Sequence, residues 1–288
     1  MQINLNHIER NITRNKTRSE INMQKVINSH CHIYPNKIAA RAVEGIGDFY
    51  DLHMSLNGQI DDLIKDGNKV GVVHYLIHSV ATVPKQVKSI NEFIASEVNA
   101  HPDLFTGFGT LHPDSENVEK DLDYLVELGL KGIKIHPDFQ QFALNEDKTF
   151  EMVRQISERE LPMLIHTGDF RYNYSNPEQF KPLLEAFPDT LFIGAHFGGW
   201  SIWEEATKEL KDYENIMVDT CSSFYSLSPQ TAEDLIHAYG TDKVMWATDF
   251  PMWESESEME MFDKIDLSKS ERNQILYENA KRLLNVKV

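Results

Sequence analysis

His30 and His32 stand two positions apart in the segment INSHCHIYP, and residues two apart on a strand project to the same side. Two imidazoles so placed repel each other as cations but share a divalent metal readily. A third imidazole at His166 and the carboxylate of Asp249 complete a set of three nitrogens and one oxygen. That set suits Zn2+, with Mn2+ or Fe2+ as alternatives. H-x-H alone is a weak signal, so the order of the remaining groups along the chain matters. Twelve histidines stand against two cysteines, which makes imidazole rather than thiol chemistry the place to look. Cys31 alternates away from its two neighbours, and Cys31 and Cys221 both read as packed thiols.

These groups need elements to position them. From Lys25 onward, short apolar or β-branched runs alternate with amphipathic stretches. The predicted strands are 25–30, 70–78, 104–111, 131–136, 162–167, 191–196, 216–220 and 243–249. Segments such as VEKDLDYLVELG and EQFKPLLEAF carry apolar residues at helical spacing. The last stretch, from Ser268 or Ser270 as N-cap, reads as one long amphipathic helix. Strands alternating with helices imply parallel βαβ units. The number and length of these units fit an α/β fold, a closed (β/α)8 TIM barrel in a single domain. An open doubly wound sheet would want a glycine-rich phosphate loop after its first strand, and none follows. The connection 36–58 is predicted to lay a loop and a helix over one face of the barrel.

Barrel chemistry sits at the C-terminal ends of the strands. There the chain presents His30 and His32, His78, His112, Lys134 with His136, His166, His196, Asp219 with Cys221, and Asp249. His7, His53, His101 and His237 read as solvated, and His74 as a packing residue. His78 and His112 read as neighbours of a metal site rather than ligands. Trp200, Phe224, Tyr225 and Trp253 could wall an apolar pocket or simply pack loops.

Composition excludes other classes. The chain has 288 residues, 41% hydrophobic and 25% charged, enough to build a core and too apolar for disorder. No run of about 18 apolar residues marks a membrane span. The net charge of −17 argues against nucleic acid or an anionic membrane as partner. Few cysteines fit a reducing, cytoplasmic setting. Residues 1–22 are polar, with four Lys or Arg against two Glu, and read as a peripheral N-terminal extension before a 23–288 barrel domain.

Five motifs in order, INSHCHIYP, GIKIHP at 132–137, PMLIHTG at 162–168, IGAHFGG at 193–199 and ATDFP at 247–251, carry a resemblance. With the closing ENAKRLLN, the chain resembles the amidohydrolase superfamily. Within it, the chain looks like the amidohydrolase-related branch that includes aminocarboxymuconate-semialdehyde decarboxylase. The likeness spans about residues 25–286. It implies His30, His32, His166 and Asp249 as metal ligands and His196 as acid, base or electrostatic stabiliser. One departure is Asn28, where the branch commonly has Asp two residues before the H-x-H.

Lys134 stands where some superfamily members carry a carboxylated lysine between two metals. A single metal with an ordinary Lys134 is preferred, since single-metal sites prevail in the branch. Lys134, His136 and Arg171 are then the residues expected to hold substrate, although a packed lysine and a solvated arginine are the plainer readings. The expected reaction is hydrolysis: Asp249 takes a proton from a metal-activated water that attacks an amide, ester or lactone carbonyl of a small molecule. The alternative is decarboxylation of a small aromatic or unsaturated acid on the same ligands. A non-catalytic ligand-binding barrel is the third reading. A homodimer is expected only on the precedent of the branch.

Overall fold

The computed structural model describes residues 24–288; the extension expected at 1–22 lies outside them. The strands are β1 (Val26–His32), β2 (Val72–His78), β3 (Phe105–Gly107), β4 (Gly109–Thr110), β5 (Ile133–Ile135), β6 (Met163–Ile165), β7 (Phe192–Gly194), β8 (Ile216–Asp219) and β9 (Val244–Met245). Every neighbouring pair within the two recorded sheets, β1 to β3 and β4 to β9, is parallel.

β3 and β4 are one barrel strand interrupted at Phe108. Phe108 N–H still donates to the Ile77 carbonyl at 3.0 Å, and Gly109 N–H donates to Gly132 at 2.9 Å. Closure comes from Ser29 N–H to the Trp246 carbonyl and His32 N–H to the Phe250 carbonyl at 2.7 Å. The result is the eight-stranded (β/α)8 barrel expected from the strand and helix rhythm.

Alternation along the strands sorts the core. Ile27, Leu76, Phe108, Leu164, Ile193, Met217 and Met245 form one buried cluster, the filled barrel interior. Their neighbours Val26, Tyr75, Ile77, Ile133, Ile165, Phe192 and Val218 belong to a second cluster with the helices. Gly132 is required opposite Phe108, because a Cβ there would sit 2.5 Å from the ring. Truncating Phe108 to Ala would cost about 3–5 kcal/mol on the usual scale for a buried aromatic.

The last predicted helix is corrected. Ser268 does cap it, accepting from Glu271 N–H while its own N–H donates to the Glu271 carboxylate at 2.8 Å. The helix then passes through a wide π turn at Gln274–Glu278 before Asn279–Leu284. At that turn the Ile275 carbonyl accepts from Trp246 N–H at 3.0 Å, which ties the helix to the end of β9. Tyr277, Ala280 and Leu284 then join the interior cluster and close its floor. Among the described residues, no helix is long and apolar enough to cross a membrane.

Candidate active site

The site lies at the strand ends that hold the histidines. β1 runs to His32, and its alternation brings His30 Nε2 and His32 Nε2 to 3.2 Å. Asp249 Oδ1 lies 3.3 Å from the first and 3.5 Å from the second. Lys134, wholly buried on β5, points its Nζ at His30 Nε2, 3.2 Å away. Burial pushes Lys134 down to about 8 and His32 down to about 3. Burial, then the nearby Lys134, holds His30 well below the usual histidine range, so these imidazoles are neutral.

The hydrogen-bond network assigns the tautomers. His30 Nδ1–H donates to Asp219 Oδ2 at 2.8 Å, which leaves a lone pair on Nε2 facing Asp249. Asp219 also accepts from His196 N–H at 2.9 Å and from the Cys221 thiol at 3.0 Å. Burial raises the Cys221 thiol well above its usual range, so it stays protonated. His196 Nδ1–H donates to the Cys221 carbonyl at 2.9 Å, and its Nε2 then accepts from His166 Nδ1–H at 2.9 Å. His166 therefore presents a bare Nε2. On the facing side, His136 Nδ1 accepts from Phe139 N–H at 3.3 Å, so its Nε2–H donates to the Tyr50 hydroxyl at 2.8 Å. The Tyr50 proton is left free toward His166 Nε2, 3.5 Å away.

Backbone strain supports this geometry. His196, Ser222 and Asp249 are non-glycine residues at φ +60°, +47° and +54°. Each such residue costs on the order of 1–3 kcal/mol and must be held by its surroundings. The Asp219 bond holds His196, and Ser222 Oγ–H donating to Asp249 Oδ2 at 2.6 Å holds the other two. Gly168, at φ +74°, lets the loops after β6 and β7 touch: a Cβ there would lie 2.5 Å from Gly199 Cα.

The predicted site residues fall into two groups. His30, His32, Asp249 and Lys134 converge. His136, His166 and His196 form the second group, with His136 and His166 stacked at 3.8 Å between ring centres. His166 has its nearest polar partners there rather than at His30. Both groups face one cavity of about 730 Å3, but neither Lys134 nor Arg171 is on its wall. Lys134 lies behind His30. Arg171 is committed elsewhere: Nε and Nη2 donate to Asp169 at 3.0 and 2.8 Å, and Nη1 donates to the Phe49 carbonyl at 2.7 Å. Its guanidinium also lies within 4.8–5.3 Å of the rings of Phe49, Tyr50, Tyr172 and Trp200. Arg171 thus clamps the end of the Ala39–Tyr50 helix over the site.

Sequence reasoning placed Asp219 at a strand end without a role, and it missed Tyr50. Nothing in the periodicity of 36–58 singles out one tyrosine. The donor chemistry fits a divalent cation: acceptors on His30 and Asp249 lie 3.3 Å apart, with His32 beside them, Asp219 orienting His30 and Lys134 Nζ facing the His30 lone pair an ion would take. His30, His32 and Asp249 would hold the ion; His166, expected as a further ligand, sits with His136 and His196 instead.

This barrel with its rim of histidines and aspartates defines a class: the chain belongs to the amidohydrolase family, whose model matches residues 27–286. Its relatives sharpen the picture. A gamma-resorcylate decarboxylase from Rhodococcus jostii (strain RHA1) is 23% identical, with 72% of this chain and 80% of the relative aligned. The solved 5-carboxyvanillate decarboxylase of Sphingomonas paucimobilis matches at TM-score 0.69 and 14% identity, over 92% of this chain and 100% of that one. A dihydroxybenzoic acid decarboxylase of Polaromonas sp. JS666, with bound manganese and the inhibitor 2-nitroresorcinol, matches at TM-score 0.70 and 17% identity, over 91% and 97%. The chain is therefore a barrel of an enzyme family. The expectation of amide, ester or lactone hydrolysis is corrected, because these relatives are decarboxylases. The physical reason for the error is that one ligand set serves both reactions.

Proposed function

We propose that this protein is a metal-dependent decarboxylase of a small aromatic carboxylic acid carrying a hydroxyl beside the carboxylate. The observation that carries the reading is the convergence of His30, His32 and Asp249 in a cavity ringed by neutral imidazoles, in a chain whose relatives release CO2 from hydroxybenzoates. A divalent ion held by His30, His32 and Asp249 would supply Lewis acidity toward the bound acid. Imidazole and carboxylate donors suit both Zn2+ and Mn2+, so metal analysis decides between them.

The chain's own residues do the rest. The neutral imidazoles of His136 and His166 flank the acid without adding a competing charge, and the Tyr50 hydroxyl is the donor left free to it. Burial keeps the Tyr50 hydroxyl protonated, well above its ordinary range. The bond from ring to carboxylate breaks, CO2 leaves, and the electron pair stays on the ring carbon. That carbon takes a proton from Asp249, which regains one from solvent. Asp249 is the better proton carrier because both His196 nitrogens are engaged, with Cys221 and His166. The apolar part of the wall excludes water while charge sits on the ring.

The test is a panel of hydroxybenzoic acids, lactones and amides offered to metal-loaded protein, with CO2 and hydrolysis products measured in parallel. CO2 release from the hydroxybenzoic acids, stopped by a chelator and restored by the ion, is the expected result. Hydrolysis without CO2 would overturn the reading.

A further inference from the structure

The cavity does not end at the imidazoles. It continues outward between the Ala39–Tyr50 helix and the Val87–Ala100 helix, where Ile38, Ala42, Ile46, Val80, Ile90 and Phe93 line it. The imidazoles and Asp249 sit at the inner end, while Arg41, exposed on the Ala39–Tyr50 helix, and the neutral polar side chains of Thr82, Gln86 and Ser89 also line the cavity. Ile38 at the mouth is 52% exposed, an apolar cost with no return inside this chain. A volume of about 730 Å3 is of the size that holds drug-sized ligands, roughly 300–1,000 Å3, and is far more than a one-ring acid fills.

We infer that the substrate is a hydroxylated aromatic acid bearing an apolar arm, an alkyl, alkenyl or second aryl group, that lies between these two helices. This rests on the decarboxylase reading for the head of the molecule. The arm itself is argued from the wall. Arg41, Thr82, Gln86 and Ser89 apart, the outer wall is built from apolar side chains of two facing helices, so it discriminates mainly by shape and apolar contact. Each methylene of the arm that leaves water should tighten binding about three- to fourfold until the lobe is full.

Gly45 makes the idea testable. It lines the cavity within the helix, and a Cβ built on it meets nothing within 4 Å. A larger side chain therefore grows into open space, and replacing a mid-helix glycine favours the helix.

The experiment measures dissociation constants by calorimetry on the full-length, metal-loaded protein. The ligands are 2-hydroxybenzoate and homologues with unbranched alkyl chains, from methyl to hexyl, at the ring positions meta and para to the carboxylate. Turnover to CO2 is followed separately. One positional series should tighten by at least 30-fold from methyl to hexyl in the native chain. In Gly45→Phe, and in Phe93→Trp from the opposite wall, that gain should shrink at least tenfold relative to the unsubstituted acid. Circular dichroism of both variants checks that they fold. Affinity that is flat or falling with arm length in every series overturns the inference. CO2 from the short acids with no gain along any series would sink the arm and leave the decarboxylase reading standing. A rising series with no CO2 from any member would sink the reaction and leave the arm.

Discussion

Asp219→Asn isolates the residue that orients His30. Asp219 is fully buried and accepts three bonds, from His30 Nδ1–H, His196 N–H and the Cys221 thiol, at 2.8, 2.9 and 3.0 Å. Removal to Ala would leave three buried donors unpaired at about 1–3 kcal/mol each, a sum comparable to the whole stability of a domain, about 5–15 kcal/mol. The Asn variant is gentler and more informative. Its amide oxygen satisfies two donors best by staying on His196 N–H and the Cys221 thiol. The amide NH2 then faces His30 Nδ1–H, donor against donor. Relief comes when His30 moves its proton to Nε2, the atom that would face the metal, and the ligand is lost in that tautomer. Changes of this kind cost about 10- to 100-fold in metal affinity, or about 1.4–2.7 kcal/mol. Titration with Mn2+ against a chromophoric chelator reads it directly. A variant that is folded by circular dichroism and binds Mn2+ within twofold of the native protein would refute the assigned tautomer and the role of Asp219.

Two further outcomes are expected. Tyr50→Phe removes a hydroxyl 2.8 Å from His136 Nε2 while keeping the ring that packs on Trp200 at 4.9 Å. Loss of one such hydrogen bond corresponds to about 0.5–1.5 kcal/mol, so kcat/KM should fall about 2- to 12-fold with metal affinity unchanged. An unchanged kcat/KM would remove Tyr50 from the substrate site. Glu258 is 3% exposed, its Oε2 has no hydrogen-bond partner, and burial, then the charge of Asp249, raises its carboxyl well above the usual range. Folding thus retains a proton that the unfolded chain releases above about pH 4.3, and stability is lost as pH rises from there toward the folded-state value. Glu258→Gln should raise the Tm at pH 8 and leave it nearly unchanged at pH 4. Equal shifts at both values would contradict the sign.

Much of this site could be read from residue order, and the exceptions have physical causes. His30 and His32 on one face follow from strand alternation, and the other imidazoles and Asp249 follow from the rule that barrel chemistry gathers at strand ends. Phe108 breaks its strand in a way no alternation reveals. Tyr50 and the Arg171 clamp belong to the connections between barrel strands, where a single tyrosine or arginine carries no periodic signal. Arg171 looked like an anion binder. Asp169, two residues earlier, claims its guanidinium instead. The π turn after Asn273 depends on a carbonyl bonded by Trp246 from far along the chain. Hydrolysis was expected ahead of decarboxylation, although both draw on imidazole, carboxylate and a cation at the same strand ends; the relatives, which are decarboxylases, favour the second.

The most direct test follows the proton. Metal-loaded protein is incubated with 2,6-dihydroxybenzoate in D2O, and the ring product is examined by nuclear magnetic resonance alongside the CO2 evolved. The account predicts one CO2 per product and deuterium only at the carbon that carried the carboxylate, both lost in Asp249→Asn with the fold intact. Full turnover in Asp249→Asn, or products without CO2 release, would contradict it.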